Sequence, residues 1–322
     1  MPNDKGWQGL VLGIALTLIL IVLVAISLRF GSAGADSVVI WNIRLPRTIA
    51  AILVGIGLAS AGVLLQGSLR NPLADPALVG VSAGAALGAV LGAAIGLPFN
   101  SIGVTTAAVI GSSIAMGVVV WVSRSNGRIE VVTVLLAGIA VSAFGAALIA
   151  IIASMSDLAG VRSVTFWTTG SFALSNWAGV NSMWPAVAIG VVLAFYLAPS
   201  LDLLALGDEG AYASGIPVSR VRTLALFAAV LLTAAGVAVV GVIAFLGLVV
   251  PHAIRLVVGP AHRQLLVLSA IGGAVVLLLA DTIARLALSP VEIPVGSVMA
   301  IVGAPVFFVL LGRARNRQGG WA

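Results

Sequence analysis

Apolar runs long enough to cross a membrane fill this chain of 322 residues almost from end to end. An α-helix needs about 20 apolar residues to cross the hydrocarbon core of a bilayer. The runs lack the polar–apolar alternation of a transmembrane β-strand, so the spans are predicted to be helices. They lie near residues 10–28, 46–65, 77–97, 102–122, 130–153, 181–198, 223–258, 264–288 and 294–311. We predict an all-α, polytopic integral membrane protein in which residues 1–322 form one transmembrane domain.

The run at 223–258 is too long for a single crossing. Its 36 residues would form a helix of roughly 54 Å at 1.5 Å per residue. A break at Gly241 or Gly247 would give a full span and then a shorter, partly re-entrant one, which raises the total to about ten. The run at 10–28 is counted as a retained span, because it is longer than the usual apolar region of a signal peptide. An even number of spans places both termini on the same side.

The basic residues give the orientation of these spans, because cytoplasmic loops carry an excess of Lys and Arg. With both termini in the cytoplasm, inner segments hold eleven of the sixteen basic residues and outer segments hold five. The inner ones are Lys5, Arg70, Arg124, Arg128, Arg220, Arg222, Arg255, Arg263, Arg313, Arg315 and Arg317. The outer ones are Arg29, Arg44, Arg47, Arg162 and Arg285. The count favours a topology with the N- and C-termini inside.

Composition excludes several classes of function. Hydrophobic residues make up 61% of the chain and charged residues 8%, which no soluble core could accommodate. Without cysteine there is no thiolate metal site or thiol nucleophile, and two histidines alone do not suggest a metal centre. The net charge of +6 comes from basic residues scattered singly between spans, which does not suggest nucleic-acid binding. No catalytic residue, metal ligand or ATP-binding motif is predicted, so energy must come from a gradient or a partner.

Asp281 is an acid deep inside a predicted span, within LLLADTIARLAL. A carboxylate at membrane depth is costly and is treated by default as functional. Arg285 follows it by four residues, so the two side chains share a helix face and can form an ion pair. We interpret the pair as structural, because no chain of ionisable residues leads away from Asp281 as a proton relay would require.

A polar segment, LGDEGAYASGIPVSRVR, interrupts the apolar pattern at residues 206–222. It follows the sixth span and is therefore predicted to be cytoplasmic. Its adjacent acids and a helix-stopping Gly-Ile-Pro sequence suit a short amphipathic helix that lies in a groove of another protein. A plain solvated loop is the alternative that the residues alone leave open.

Four stretches in order along the chain resemble the signatures of FecCD-type permeases, the membrane subunits of type II ABC importers for ferric siderophores, haem and cobalamin. The first is RLPRTIAAILVGIGLASAGVLLQGSLRNPLADPALVGVSAGAALG at 44–88, and the second is FWTTGSF at 166–172. The third is VVGVIAFLGLVVPHAIRLVVGPAHRQLL at 239–266. The fourth is LLLADTIARLALSPVEIPVGSVMAIVGAPVFFVLL at 277–311. The resemblance implies one permease domain with about ten spans, in agreement with the count from hydropathy and charge.

The resemblance assigns the polar segment to ATPase coupling. ABC importers carry a cytoplasmic loop of the form E-A-A-x-x-x-G that sits in a groove of the ATPase subunit. Glu209, Ala211 and Gly215 fall at that spacing, Gly210 replaces the second residue, and Asp208 precedes them. The implied coupling segment is about 201–222. Glycine at 210 loosens the helix locally, since it costs up to about 1 kcal/mol relative to alanine.

The same resemblance implies two further sites. Arg44 and Arg47 correspond to outward arginines that meet glutamates of the substrate-binding protein, and Arg285 is a weaker candidate for that role. The pathway narrows near the cytoplasm where the turn RNPLADP and the start of the fifth span lie. The candidate gate residues are Asn71, Leu73, Val131 and Val132.

The implied assembly has several components. Two cytoplasmic ATPase subunits hold the Mg-ATP, an extracytoplasmic binding protein delivers the chelate, and this chain pairs with a second copy or a paralogue in the bilayer. The chain itself would bind no cofactor and catalyse no covalent reaction, and its location would be the bacterial inner membrane. Ferric siderophore or haem ranks ahead of cobalamin as substrate. A gradient-driven secondary transporter is the main alternative; it should show inverted repeats and several intramembrane ionisable residues, of which only Asp281 is present.

Overall fold

A computed structural model describes residues 4–30, 36–125, 128–155, 164–289 and 291–317. The first half of the chain contains α1 (Asp4–Arg29), α2 (Ser37–Val39), α3 (Leu45–Ser68), α4 (Val81–Ala94), α5 (Ile102–Val122), β1 (Arg124–Ser125), β2 (Arg128–Ile129) and α6 (Val131–Met155). The second half contains α7 (Val164–Thr169), α8 (Trp177–Leu204), α9 (Asp208–Ala213), α10 (Val218–Val240), α11 (Leu246–Val258), α12 (His262–Leu286) and α13 (Val295–Arg317). One π-helical turn, Ile40–Arg44, joins α2 to α3 without a break. The all-helical class predicted from the sequence is confirmed.

Ten apolar helices match the ten predicted spans. Within the described ranges, seven are long and apolar enough to cross a membrane, and three shorter apolar helices, Val81–Ala94, Leu246–Val258 and Val295–Val309, complete the set. The long run at 223–258 breaks where expected: α10 ends at Val240, and Gly241 follows with φ of +77°. Four further residues precede the start of α11 at Leu246. Glycine suits this break because it adopts positive φ without strain.

The helices differ in how much of their surface other helices cover. In the apolar 18-residue stretch of each span, 78% is buried inside the chain for α3 and for α10. For α1 the buried share is only 11%. Outer surfaces of a membrane protein can stay apolar because lipid, and not water, surrounds them. The bundle is therefore organised around α3, against which α8, α10, α11 and α12 pack.

Small residues permit the close contacts of α3. Gly55 faces Gly273 of α12, and a Cβ at Gly55 would lie 2.5 Å from the carbonyl oxygen of Gly273. Gly62 faces Gly247 of α11, where an added Cβ would overlap the Gly247 carbonyl oxygen. Because apolar side chains gain little by leaving lipid for a helix interface, backbone-to-backbone packing of this kind is what holds membrane helices together.

Two connections on the inner side are not α-helical. Residues 69–80, which contain RNPLADP, form turns between α3 and α4, as the two prolines predict. The α5–α6 connection contains the two-residue strands β1 and β2, paired antiparallel with Arg124 opposite Ile129. The sequence does not predict this small hairpin, because two residues per strand are too few to produce a periodic pattern.

Candidate functional site

The short helix α9 carries the acids of the polar segment. Asp208 and Glu209 lie in its first turn, where carboxylates interact favourably with the helix dipole. Ala211 is fully buried, while the Tyr212 side chain is 77% exposed. Glu209 is exposed as well. The helix therefore anchors one face on the bundle and presents an acid and an aromatic ring outwards.

Gly215 ends α9 in the geometry of a Schellman motif. Its φ is +79°, and its N–H donates to the carbonyl of Tyr212 at 2.9 Å. The N–H of Ile216 donates to the carbonyl of Ala211 at 3.1 Å. These two bonds satisfy carbonyls that the helix end would otherwise leave unpaired. The E-x-A-x-x-x-G spacing thus has a structural basis: the final glycine is the αL residue that stops the helix.

Substituting Gly215 with alanine is expected to destabilise the end of α9 by about 1–2 kcal/mol, the cost of a left-handed conformation for a residue with a Cβ. Among the residues that the structure describes, none outside the adjoining backbone places an atom within 4 Å of the added Cβ, so the backbone conformation alone accounts for the effect. Local hydrogen exchange of the α9 amides would measure it. Gly210→Ala is the matched control, since Gly210 has no positive φ and alanine favours helix there. Faster exchange in Gly210→Ala than in Gly215→Ala would contradict this assignment.

Asp208 ties α9 to two longer helices. Its carboxylate accepts from Arg222 Nη2 at 3.0 Å and lies 3.5 Å from Arg70 Nη1. Arg222, near the start of α10, also donates from Nε to the carbonyl of Ser68, the last residue of α3, at 2.9 Å. A displacement of α9 is thereby linked directly to α3 and α10. We name α9 together with Arg70 and Arg222 the coupling face.

Cavities beside the coupling face are lined by its charged residues. One, of about 390 Å³, is lined by Arg70, Asp208, Glu209, Arg222 and Ile129 of the hairpin, among others. The second, of about 900 Å³, is lined by charged and apolar residues of α5, α9 and α10 together with the hairpin. Acids, arginines and apolar side chains therefore lie together on this surface, as expected for a protein-docking surface with charge complementarity.

The predicted gate residues lie in two segments at the inner end of the bundle, the turn after α3 and the start of α6. Asn71 is buried, and its Oδ1 accepts from the backbone N–H of Leu73 at 3.0 Å, so its side chain shapes the turn. Leu73 is partly buried. Val132, at the start of α6, is 57% exposed, while the side chain of Val131 lies outside the described residues. A constriction formed by these residues stays a prediction.

At the opposite end of α3, Arg47 lies in a buried ion-pair cluster. Its Nη2 is 2.9 Å from Asp281 Oδ1, and its Nε lies 3.1 Å from both oxygens of the same carboxylate. Its Nη1 donates to both oxygens of Glu292, at 2.9 and 3.0 Å. Asp281 is fully buried and Arg47 is 7% exposed. One guanidinium thus bridges two carboxylates, the fork geometry that makes arginine suited to buried pairs.

Arg44 and Arg285 complete this outer cluster through contacts with α1. Arg44 donates from Nη1 to the carbonyl of Leu28 at 2.9 Å. Arg285 donates from Nη2 to the carbonyl and hydroxyl oxygens of Ser27, at 3.3 and 3.2 Å. Both arginines are buried within the chain itself. The cluster therefore joins α1, α3, α12 and the connection to α13.

The structure adds detail to two expectations about the outer cluster. Asp281 was expected to pair with Arg285; that contact exists at 3.8 Å, but the closer partner is Arg47, which sequence spacing could not suggest. The docking role predicted for Arg44, Arg47 and Arg285 suits exposed guanidinium groups, whereas all three are buried. Glu292 is not among the residues that the sequence predicts for this cluster. Its position in the outer connection SPVEIP, close in sequence to Asp281 and Arg285, was the available signal.

Comparisons with known proteins agree over nearly the whole chain. The model of the FecCD transport family matches residues 9–313. The cobalamin import system permease protein BtuC of Halobacterium salinarum is 42% identical over 91% of this chain and 78% of its own. The hemin transport system permease protein HmuU of Yersinia pestis is 38% identical over 99% of this chain and 100% of its own.

Solved structures show the same likeness in three dimensions. An inward-facing conformation of a metal-chelate type ABC transporter covers 94% of this chain and 98% of its own, with a TM-score of 0.81 and 34% identity. The PsaBC complex of Streptococcus pneumoniae covers 82% of this chain and 89% of its own, with a TM-score of 0.63 and 17% identity. At that identity the second likeness concerns the fold alone.

Proposed function

Because this chain belongs to the FecCD transport family, we propose that it forms the translocation pathway for an iron chelate or haem, with cobalamin ranked next. The chain is a multi-pass membrane permease of an ABC importer and not itself an enzyme. Its family relatives import cobalamin, hemin, iron hydroxamate and ferric citrate according to their names. The substrate proposed here is therefore one member of a chemically related set of bulky metal chelates.

The geometry of α9 is the observation that supports energy coupling through a separate ATPase. The helix is fixed to α3 and α10 by Asp208, yet it presents Glu209 and Tyr212 outwards. A docked ATPase that moved α9 would move those two helices with it. We propose that two ATPase subunits bind two such permease chains, either identical copies or this chain and a paralogue, and drive the change between outward- and inward-open states.

The buried outer cluster affects how we propose that a binding protein docks. A partner's carboxylate that bound Arg47 would have to displace Glu292, because Arg47 already donates to both carboxylate oxygens. Glu292 is the accessible edge of the cluster, with its side chain 36% exposed. Arg44, Arg47 and Arg285 therefore stay proposed docking residues. We propose that a partner's carboxylate reaches them by replacing a carboxylate of this chain and not by binding to an open surface.

The test is ATP hydrolysis by the chain reconstituted in liposomes with its ATPase and binding protein. A ferric siderophore or haem, presented on the binding protein, is expected to raise hydrolysis several-fold above the rate with empty binding protein. Stimulation by cobalamin alone would overturn the ranking of substrates. Uptake driven by an ion gradient in liposomes without the ATPase would instead support the secondary-transporter alternative.

A further inference from the structure

Pro251 leaves one backbone carbonyl of α11 without its helical partner. In an α-helix the carbonyl of residue 247 accepts from the N–H of residue 251, but residue 251 is a proline inside the helix and has no N–H. Gly247 is buried, so water does not replace the missing donor. An unpaired backbone group is costly inside a membrane protein. The carbonyl of Gly247 therefore needs a donor from outside α11.

Gln66 of α3 is that donor. Its Nε2 donates to the Gly247 carbonyl oxygen at 3.1 Å and lies 3.4 Å from the carbonyl oxygen of Leu248. Gln66 is 3% exposed and follows Gly62 by one helical turn. Because residue 62 has no side chain, the backbone of α11 can come this close to α3. A side-chain amide thus donates at the one place where proline removes a backbone donor from α11.

The connection between α3 and α4 contacts the same turn of α11. We name residues 69–80 the inner turn; it contains two of the predicted gate residues. Asp75 is 2% exposed, and its Oδ2 and the Cδ of Pro76 lie 3.1 and 3.0 Å from the position of a Cβ on Gly247. The backbone N–H of Leu248 donates to the Asp75 carboxylate. The end of α3, the inner turn and the first turn of α11 therefore meet at one place.

These contacts orient α11, because no continuous helix does so. The preceding helix ends at Val240, and Phe245, the residue before α11, has φ of +67°. Positive φ is unfavourable for a bulky side chain, and such a conformation persists only where the surrounding structure holds it. The direction of α11 therefore depends on what its first turn contacts.

We propose that Gln66 is a positioning residue of the transport cycle: its amide holds the first turn of α11 on α3 and the inner turn, so that the three move together. Gln66 lies two residues before Ser68, whose carbonyl accepts from Arg222 of the coupling face. A displacement of α9 that reaches α3 through Arg222 then continues to α11. The proposal rests on the proposed function, since it requires a pathway that opens and closes.

The test is a double-mutant cycle, because Pro251→Ala restores the N–H whose absence makes Gln66 necessary. Each full-length variant is reconstituted in liposomes without an ATPase, and the efflux of trapped calcein is measured. We expect Gln66→Leu to raise this leak about threefold or more, since one hydrogen bond between membrane helices has an effect of that order. Adding Pro251→Ala to Gln66→Leu should return the leak to about the wild-type rate, and Pro251→Ala alone should leave it there.

Gln264→Leu is the matched control. It makes the same change at the start of α12, where the Gln264 side chain lies against Gly9 of α1 and not against α11. The leak should stay at about the wild-type rate in this variant. A leak as large as that of Gln66→Leu would show that loss of a glutamine amide at either helix has the same effect, and would overturn the proposal.

Hydrogen exchange of the backbone amides at 246–250 separates positioning from simple stabilisation. Faster exchange in Gln66→Leu together with a wild-type leak would show that Gln66 only stabilises α11, which overturns the proposal. A leak that Pro251→Ala does not reduce overturns it as well. If Gln66→Leu fails to fold, the double variant decides: a folded chain with a wild-type leak supports the proposal, and failure of both variants contradicts it.

The outcome for Gln66 is independent of the substrate and of the ATPase. Neither the leak nor the exchange measurement includes a chelate, a binding protein or ATP. Absence of chelate-stimulated ATP hydrolysis would overturn the proposed function and leave these two measurements unchanged. A wild-type leak in folded Gln66→Leu would overturn the role of Gln66 and leave the proposed function in place.

Discussion

Replacing Asp281 with asparagine is expected to lower the free energy of unfolding by about 3–5 kcal/mol, the cost of breaking a buried ion pair from one side. Asparagine has nearly the shape of aspartate, so the loss reports the missing charge and not a cavity. Among the described residues, Arg47 would keep only Glu292 as a counter-ion, and Arg285 would lose the carboxylate that lies 3.8 Å from its Nε. The measurement is reversible unfolding in mixed micelles, followed by helical circular dichroism as the denaturing detergent increases.

Glu292→Gln provides the control for this experiment. It removes a carboxylate from the same guanidinium, but the Glu292 side chain is 36% exposed whereas that of Asp281 is 1% exposed. Water replaces much of a lost contact at such a position, so we expect a cost of about 1 kcal/mol or less. Equal losses in the two variants would show that burial does not set the strength of this cluster. A stable Asp281→Asn would remove the buried pair as an explanation of how α3 and α12 are held.

The helices of this fold could be predicted from the sequence because lipid imposes a simple rule on it. Each span needs about 20 apolar residues, and positive charge marks the inner side. The break at Gly241 followed from the length of the run at 223–258, and α9 followed from the polar segment between two spans. These features are local: each is encoded by residues that lie next to one another in the chain.

The outer cluster could not be predicted in the same way, because its central pair joins distant positions. Arg47 and Asp281 are separated by 234 positions, and no periodic pattern connects them. The visible pattern, Asp281 four residues before Arg285, indicated a pair along one helix and did not reveal the stronger pair between helices. The packing that brings the two together depends on Gly55 and Gly273, whose backbone contact sets the approach of α3 to α12.

Reversing the charge of Glu209, as Glu209→Lys, is expected to weaken association with the ATPase subunit at least tenfold. Loss of one partner in a close charge pair at an interface costs about 2–5 kcal/mol, and about 1.4 kcal/mol corresponds to a tenfold change in affinity. Glu209 is exposed on α9, so the substitution should cost no more than about 1 kcal/mol of stability, the helix-dipole interaction of a first-turn carboxylate. The measurement is the dissociation constant of the purified ATPase for the chain held in nanodiscs.

Asp208→Asn separates docking from transmission. Asp208 contacts Arg222 and Arg70 of its own chain, so its loss should loosen the attachment of α9 to α3 and α10 while leaving Glu209 in place. We expect ATPase affinity to fall less than in Glu209→Lys, and transport per ATP hydrolysed to fall more, because hydrolysis would move α9 without moving the bundle as fully. Transport that stayed fully coupled in Asp208→Asn would show that motion reaches α3 by another route. Unchanged ATPase affinity in Glu209→Lys would remove Glu209 from the docking surface.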